Sequence, residues 1–184
     1  MRNKALIVLL GLVAMTLTGC VSSSKTCTYI LCPDDSAAKQ YNAMVTVSGI
    51  ELPEYLDKNT IAVRVSKHTI GSLKSHQWAQ NFRKMIQNSL AADLLQRSTG
   101  SKEAPKFTVY VQIQRFELDE NNNLNVHANC ILNTSLKAPE RLSKTFVFTG
   151  KYPWGGSNVE ELIGLYDKAI SDMAELIAGK AVGL

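Results

Sequence analysis

The chain has 184 residues, a formal net charge of +4 and 45% hydrophobic residues, which is typical of one domain with a single core. Its Lys and Arg residues are spread along the sequence rather than gathered in a stripe, and this distribution argues against nucleic-acid binding. No segment after the first twenty residues is long and apolar enough to cross a membrane.

The first nineteen residues have the layout of a bacterial export signal. Arg2 and Lys4 precede an apolar run at residues 5–15, and small residues lead up to a cleavage position. Residues 17–20, Leu-Thr-Gly-Cys, resemble a lipobox, which implies diacylglycerol transfer to the Cys20 thiol, cleavage before Cys20 and acylation of the new amino terminus. We therefore predict a signal peptide at residues 1–19 and a lipid anchor at Cys20, the alternative being a plain secretory peptide with a chance Cys.

Several acyl chains at ~0.8 kcal/mol per buried methylene make a lasting membrane anchor. Cleavage removes two positive charges and no acid, and this lowers the formal net charge from +4 to +2. The residue after the Cys is Val21 rather than the Asp that enteric bacteria read as inner-membrane retention. We therefore expect attachment to the outer membrane, with the protein facing the periplasm.

Residues 20–41 are mostly polar and predict a lipidated tether. They contain a short strand-like insert at residues 28–31, flanked by Cys27 and Cys32. A disulfide is the expected fate of two such thiols in an oxidising compartment. Zinc binding would need a second pair of ligands, and a thioredoxin-like motif would place only two residues between the thiols.

The rest of the chain, residues 42–184, predicts a single α+β domain. Strands are predicted where β-branched residues cluster or where apolar and polar residues alternate, at residues 43–47, 60–65, 107–113, 124–132 and 142–149. Alternation in the fourth of these strands places Cys130 on the core side as a free thiol.

Two amphipathic helices complete the domain. The first is predicted at residues 75–96, where Trp78 and later apolar residues recur at helical spacing. The second follows a capping box formed by Ser157 and Glu160 and has a long apolar stripe. The order β-β-α-β-β-β-α predicts an α+β two-layer sandwich, with two long helices on one face of a mainly antiparallel sheet.

No motif for catalysis or cofactor binding is apparent, and we predict a protein that is not an enzyme and has no cofactor. Asp119, Asn121 and Asn123 match the first ligands of an EF-hand loop, but Leu124 stands where that loop needs Gly. A polar hairpin turn is the expected structure there. The histidines are not placed with a Ser or Cys as a nucleophile pair, and no metal site is expected.

Two loops combine aromatic residues with rigid or breaking residues. Pro53, Tyr55 and Leu56 lie between the first two predicted strands, and Trp154 lies between Pro153 and two glycines. Aromatic residues are favoured at interface hot spots. Each loop is therefore a candidate partner contact, the alternative being that Tyr55 and Trp154 fold back to cover the edge of the sheet.

Together, the lipobox, the segment 28–31, the Leu-Pro-Glu-Tyr-Leu turn at residues 52–56 and the Trp-Ala pair at residues 78–79 resemble the PqiC family. These proteins are auxiliary lipoproteins of ABC-type and MCE-type lipid transport systems. The resemblance extends over nearly the whole mature chain. It implies a lipoprotein that docks onto a tunnel-forming MCE protein, helps to conduct phospholipid and maintains membrane integrity.

On this reading Cys20 is the anchor, Pro53, Tyr55 and Leu56 form the partner-contact turn, and Trp78 supports that turn at the start of the first helix. Trp154 is a further contact candidate. The expected partners are the MCE-domain protein, the outer membrane, phospholipid and further copies of the chain as a homo-oligomer. The alternatives are a free-standing periplasmic ligand-binding or inhibitor lipoprotein, and an assembly factor for polysaccharide or lipopolysaccharide export.

Overall fold

A computed structural model describes residues 25–33, 39–135 and 142–184. The signal peptide and Cys20 predicted from sequence lie outside these residues. The described strands are β1 (Cys27–Tyr29), β2 (Met44–Glu51), β3 (Thr60–Ser66), β4 (Thr69–Trp78), β5 (Lys106–Leu118), β6 (Asn123–Thr134) and β7 (Ser143–Pro153). The described helices are α1 (Phe82–Gln96) and α2 (Val159–Val182).

The strands form one seven-stranded sheet in the order β1-β4-β3-β5-β6-β7, and β2 pairs with β5 beside this path. Strand pairs β3–β4, β5–β6 and β6–β7 are antiparallel, whereas β1 lies parallel to β4 and β2 lies parallel to β5. Strand β3 meets β5 only where Val63 pairs with Leu118, the last residue of β5. The predicted α+β class with a mainly antiparallel sheet is confirmed.

The core lies between the sheet and the helices. Alternate residues of β5 and β6 are buried from Phe107 to Ile113 and from Leu124 to Leu132, as expected for a sheet with one covered face. Helix α1 packs on α2 and β2, and α2 packs on β6 and β7. Among the described residues, neither helix combines the length and hydrophobicity that a membrane span requires.

The predicted start of the first helix was wrong. Residues 69–78 form β4, a strand that the sequence analysis missed, and α1 begins only at Phe82. Asn81 caps the helix by accepting a hydrogen bond from the backbone N–H of Lys84 at 3.4 Å. Trp78 falls at helical spacing from Phe82 by coincidence, because the last residue of β4 and the first turn of α1 both face the core.

The predicted capping box was also wrong. The cap of α2 is Asn158, whose side-chain oxygen accepts from the backbone N–H of Glu160 at 3.0 Å. Ser157 lies one residue too early for this geometry. The two acids of the first turn, Glu160 and Glu161, and Lys180 in the last turn complement the helix dipole.

Candidate partner-contact site

The predicted contact turn leaves the sheet after β2 and returns at β3. The carbonyl of Pro53 accepts hydrogen bonds from the backbone N–H groups of Leu56 at 2.9 Å and Asp57 at 3.2 Å. The side chain of Leu56 is 1% exposed, whereas Pro53 and Tyr55 are half-buried and Glu54 is exposed. Leu56 therefore fastens the turn to the core, and Pro53, Glu54 and Tyr55 form its accessible surface.

Tyr55 is held by a buried carboxylate. Its hydroxyl donates to Glu117 Oε2 at 2.9 Å, and Glu117 is 0% exposed. The Nε groups of Arg64 and Arg115 donate to the other oxygen of Glu117 at 2.9 and 3.0 Å. Burial and then the neighbouring Glu117 raise the pKa of Tyr55 to about 12. The hydrogen bond to the buried Glu117 holds the ring in place.

Glu117 was missed in the sequence analysis. The predicted alternation of β5 ends at Ile113, and the pairing register with β6 shifts between Ile113 and Arg115. This bulge brings Phe116 and Leu118 onto the buried face. The available signal was an acid between two apolar residues, Phe116 and Leu118. Only the fold brings Tyr55 of the turn and Arg64 of β3 to it as partners.

The turn is also fastened to the segment that joins β4 to α1. The backbone N–H of Trp78 donates to the carbonyl of Asn59 at 2.6 Å. The side-chain amide of Asn81 donates to the carbonyl of Asp57 at 3.4 Å, and Arg83 forms an ion pair with the Asp57 carboxylate. The C-terminal end of the turn is therefore bonded to the end of β4 and the start of α1.

Trp78 lies within the core rather than at a surface. It is 1% exposed, stacks on Phe82 with ring centroids 4.9 Å apart, and meets the edge of Tyr166 at 5.0 Å. Such aromatic pairs contribute beyond the area they bury. The Trp78 ring thus packs between α1 and α2 and offers no contact surface of its own, and its support of the turn stays a prediction.

Trp154 lies in a different loop, between β7 and α2. Its ring is half-buried, and its indole N–H donates to the carbonyl of Asn158 at 2.8 Å. Its backbone N–H donates to the carbonyl of Asn122, also at 2.8 Å. The loop therefore folds back over the start of α2, and part of the ring remains accessible.

Residues 27–32 are bound to the rest of the domain. Strand β1 pairs with the outer edge of β4, and the backbone N–H of Ala79 donates to the carbonyl of Tyr29 at 2.8 Å. Tyr29 Oη and His76 Nδ1 share a hydrogen bond of 2.9 Å. The backbone N–H of Cys32 donates to Asp167 Oδ1 on α2 at 2.9 Å. The part of the predicted tether that the structure describes thus includes an edge strand of the sheet.

The cysteines of the described residues differ in accessibility. Cys27 and Cys32 are exposed and are not joined by a disulfide in the structure. Cys130 is a free thiol with 0% exposure. Burial raises the pKa of Cys130 to about 12. The predicted core position of Cys130 is therefore confirmed, and the pairing of Cys27 with Cys32 stays a prediction.

Peptide mass spectrometry of non-reduced protein exported by cells should show a bond between Cys27 and Cys32, with Cys130 reduced. Replacing both exposed cysteines with Ser should cost well under the ~3 kcal/mol expected for a fifteen-residue loop, because the closed loop is short. A mixed disulfide between Cys130 and either partner would contradict this assignment.

The potential metal ligands of the described residues do not cluster into a site. They contain no group of three or more His, Cys, Asp or Glu side chains close enough to hold a metal ion. The Asp119 carboxylate instead accepts from the backbone N–H groups of Asn121 and Asn123 and from the Asn125 amide, at 2.8–2.9 Å. Burial raises the pKa of Asp119, but these hydrogen bonds outweigh it and lower the pKa overall.

Comparison with known proteins now identifies the family. A family model described as an ABC-type transport auxiliary lipoprotein component matches residues 32–178. The chain belongs to this family. The resemblance to auxiliary lipoproteins of the PqiC type is thereby confirmed. The auxiliary lipoprotein family is a class of transport components and not a class of enzymes.

Two solved structures share the fold. A crystal structure of an uncharacterized protein has a TM-score of 0.65 and 15% identity, over 85% of this chain and 99% of that one. A Xanthomonas campestris protein of the DUF330 family has a TM-score of 0.58 and 16% identity, over 85% of this chain and 94% of that one. No curated protein matches the sequence.

Proposed function

We propose that this auxiliary lipoprotein is anchored through Cys20 to the outer membrane, faces the periplasm and docks onto the tunnel-forming protein of an MCE-type lipid transport system. The observation that supports this most is the family match over residues 32–178, which begins a short distance after the lipobox. The MCE partner, phospholipid as cargo, a homo-oligomeric state and a role in membrane integrity are parts of the same proposal.

The surface formed by Pro53, Glu54 and Tyr55 is the proposed contact with the MCE partner. Its backbone is closed by hydrogen bonds to Pro53, and the Tyr55 hydroxyl is bound to Glu117. A surface that is already ordered loses little entropy on docking. Tyrosine also offers a large contact area with few rotatable bonds. The half-buried ring of Trp154 is proposed as a second, smaller contact.

Replacing Tyr55 with Ala should weaken capture of the MCE-type partner at least tenfold, which is the effect expected at an interface hot spot. The measurement is the amount of partner recovered with the lipoprotein after crosslinking in cell envelopes. Tyr55→Phe should retain most of the capture, because it keeps the ring and removes only the hydroxyl.

Tyr110→Ala is the matched control. Tyr110 is also half-buried, and its hydroxyl donates to a carboxylate, Glu51, at 3.1 Å, but it lies on the outer face of β5. This variant should capture the partner normally. Equal losses from Tyr55→Ala and Tyr110→Ala would place the contact elsewhere, with the Trp154 loop tested next.

The identity of the captured protein tests the wider proposal. Recovery of an MCE-domain protein with the wild-type lipoprotein supports the transport role. Recovery of a polysaccharide or lipopolysaccharide export component would support the assembly-factor alternative instead. Failure to recover any envelope protein would contradict docking and favour a free-standing lipoprotein.

A further inference from the structure

The β3–β4 hairpin, residues 60–78, contains the basic residues Arg64, Lys67 and Lys74 and no acid. Between Asp57 and Asp93 the sequence has six Lys or Arg residues and no acid. Arg64 is paired with Glu117, and Arg83 with Asp57. Lys67 at the hairpin tip and Lys74 on β4 are exposed.

The hairpin extends beyond the rest of the sheet. Strand β3 pairs with the end of β5 at Val63, so its last residues and the first residues of β4 continue past that end. The acid in contact with the hairpin is Glu117, which is paired with Arg64 and Arg115. Asp119, in the β5–β6 turn, is occupied by its own hydrogen bonds. The tip therefore presents basic groups with no acid of the hairpin beside them.

An apolar side chain projects from this basic tip. Arg64 pairs with Ile70 and Ser66 pairs with Thr69, which leaves Val65 without an opposite residue. Such a bulge turns a side chain out of the regular ladder, and Val65 is 60% exposed. An exposed aliphatic group next to lysines is the composition of surfaces that rest in the headgroup region of a bilayer.

The direction of β1 relates the hairpin tip to the proposed lipid anchor. Strand β1 runs parallel to β4, with Cys27 opposite His76, so the chain enters the sheet from the side of the hairpin tip. Cys20 precedes Cys27 by seven residues, which span at most ~25 Å. The seven residues of β3 span about 20 Å. A chain segment of this length is therefore long enough to reach from β1 to the level of the hairpin tip.

We propose that the tip of the β3–β4 hairpin, residues 65–70, lies on the lipid surface beside the anchor. Val65 enters the boundary between headgroups and acyl chains, and Lys67 and Lys74 face lipid phosphates. This proposal rests on the proposed anchor at Cys20, because contacts this few orient a domain that acyl chains already hold. The proposed partner of the hairpin tip is the bilayer itself, and the hairpin determines which end of the domain faces the membrane.

The test uses the full lipidated protein in vesicles of phosphatidylethanolamine and phosphatidylglycerol that contain nitroxide-labelled lipid. Cys27 and Cys32 are changed to Ser, and the buried Cys130 is kept. An environment-sensitive fluorophore is attached at His68→Cys on the hairpin tip. The control is Glu103→Cys, an exposed position shortly before the start of β5. Quenching should be at least threefold stronger at position 68 than at position 103.

Two matched valine variants test the role of the apolar group. Val65→Asp should reduce quenching at position 68 at least twofold, whereas Val147→Asp on β7 should leave it unchanged. The two valines are similarly exposed, at 60% and 52%. Circular dichroism of both variants should match the parent protein, and both should float with vesicles. Equal effects of the two substitutions would overturn the assigned role of Val65.

The outcomes separate this proposal from the anchor on which it rests. Protein that floats with vesicles but shows equal quenching at positions 68 and 103 would overturn the hairpin contact and leave the anchor intact. Lipoprotein that fails to float would contradict the anchor at Cys20 and, with it, the hairpin contact. Strong quenching confined to position 68 supports both.

Discussion

Cys20→Ala should abolish palmitate incorporation and block removal of the signal peptide by the lipoprotein peptidase. The cause is chemical, because the Cys thiol of a lipobox accepts the diacylglycerol group, and Cys20 is that Cys in the proposed lipobox at residues 17–20. Without the acyl chains, the mature domain also loses the contribution of ~0.8 kcal/mol per buried methylene that holds it on the membrane. Radiolabelled palmitate and the mobility of the protein on gels measure both effects.

Cys27→Ala and Cys32→Ala are the matched controls for this substitution. Both residues are exposed cysteines near the amino terminus, but neither follows a lipobox. They should incorporate palmitate like the wild type. Equal labelling of wild type and Cys20→Ala would show that the anchor is not at Cys20, and the sequence would then be that of a plain secretory protein.

Trp78→Ala should lower the free energy of unfolding by about 3–5 kcal/mol, the range for truncating a large buried aromatic residue. Trp78 is 1% exposed and contacts Phe82 and Tyr166. For a domain of this size the loss corresponds to roughly 6–20 °C in melting temperature. Because the backbone of Trp78 also bonds to Asn59 at the end of the contact turn, partner capture should fall as well.

Trp154→Ala provides the comparison, since it removes the same side chain from a half-buried position. We expect a loss of about 1 kcal/mol, mainly that of the indole hydrogen bond to Asn158. Urea unfolding of both variants measures the difference. Similar losses from the two substitutions would contradict the central packing role assigned to Trp78.

The contact turn and the core therefore depend on each other. Leu56 is buried in the core, and the backbone N–H of Trp78 bonds to Asn59 at the end of the turn. Glu117 binds Tyr55 and two arginines. Binding experiments on this surface should accordingly be read together with unfolding data. A variant that loses capture at unchanged stability identifies a contact residue, and Tyr55→Ala is expected to come closer to that behaviour than Trp78→Ala.

Local sequence patterns predicted the regular elements that have a clear period. Alternation in β5 and β6 located these strands and placed Cys130 in the core, because side chains of a strand point alternately to opposite faces. The long apolar stripe of the last helix was predicted for the same kind of reason. Strand β4 was missed because its sequence, Thr-Ile-Gly-Ser-Leu-Lys-Ser-His-Gln-Trp, has little alternation and contains a bulge with Ser75 at a positive φ of 61°.

The sequence by itself determined the α+β class and the family, because these depend on contiguous residues or on regular periods. The export signal and the acylation site at Cys20 rest on the same kind of local pattern and stay predictions. Only the tertiary structure decided which distant residues meet. The buried Glu117 finds Tyr55, Arg64 and Arg115, and β1 adds to the edge of β4. Such pairings depend on the register and path of several strands at once, and no local pattern encodes them.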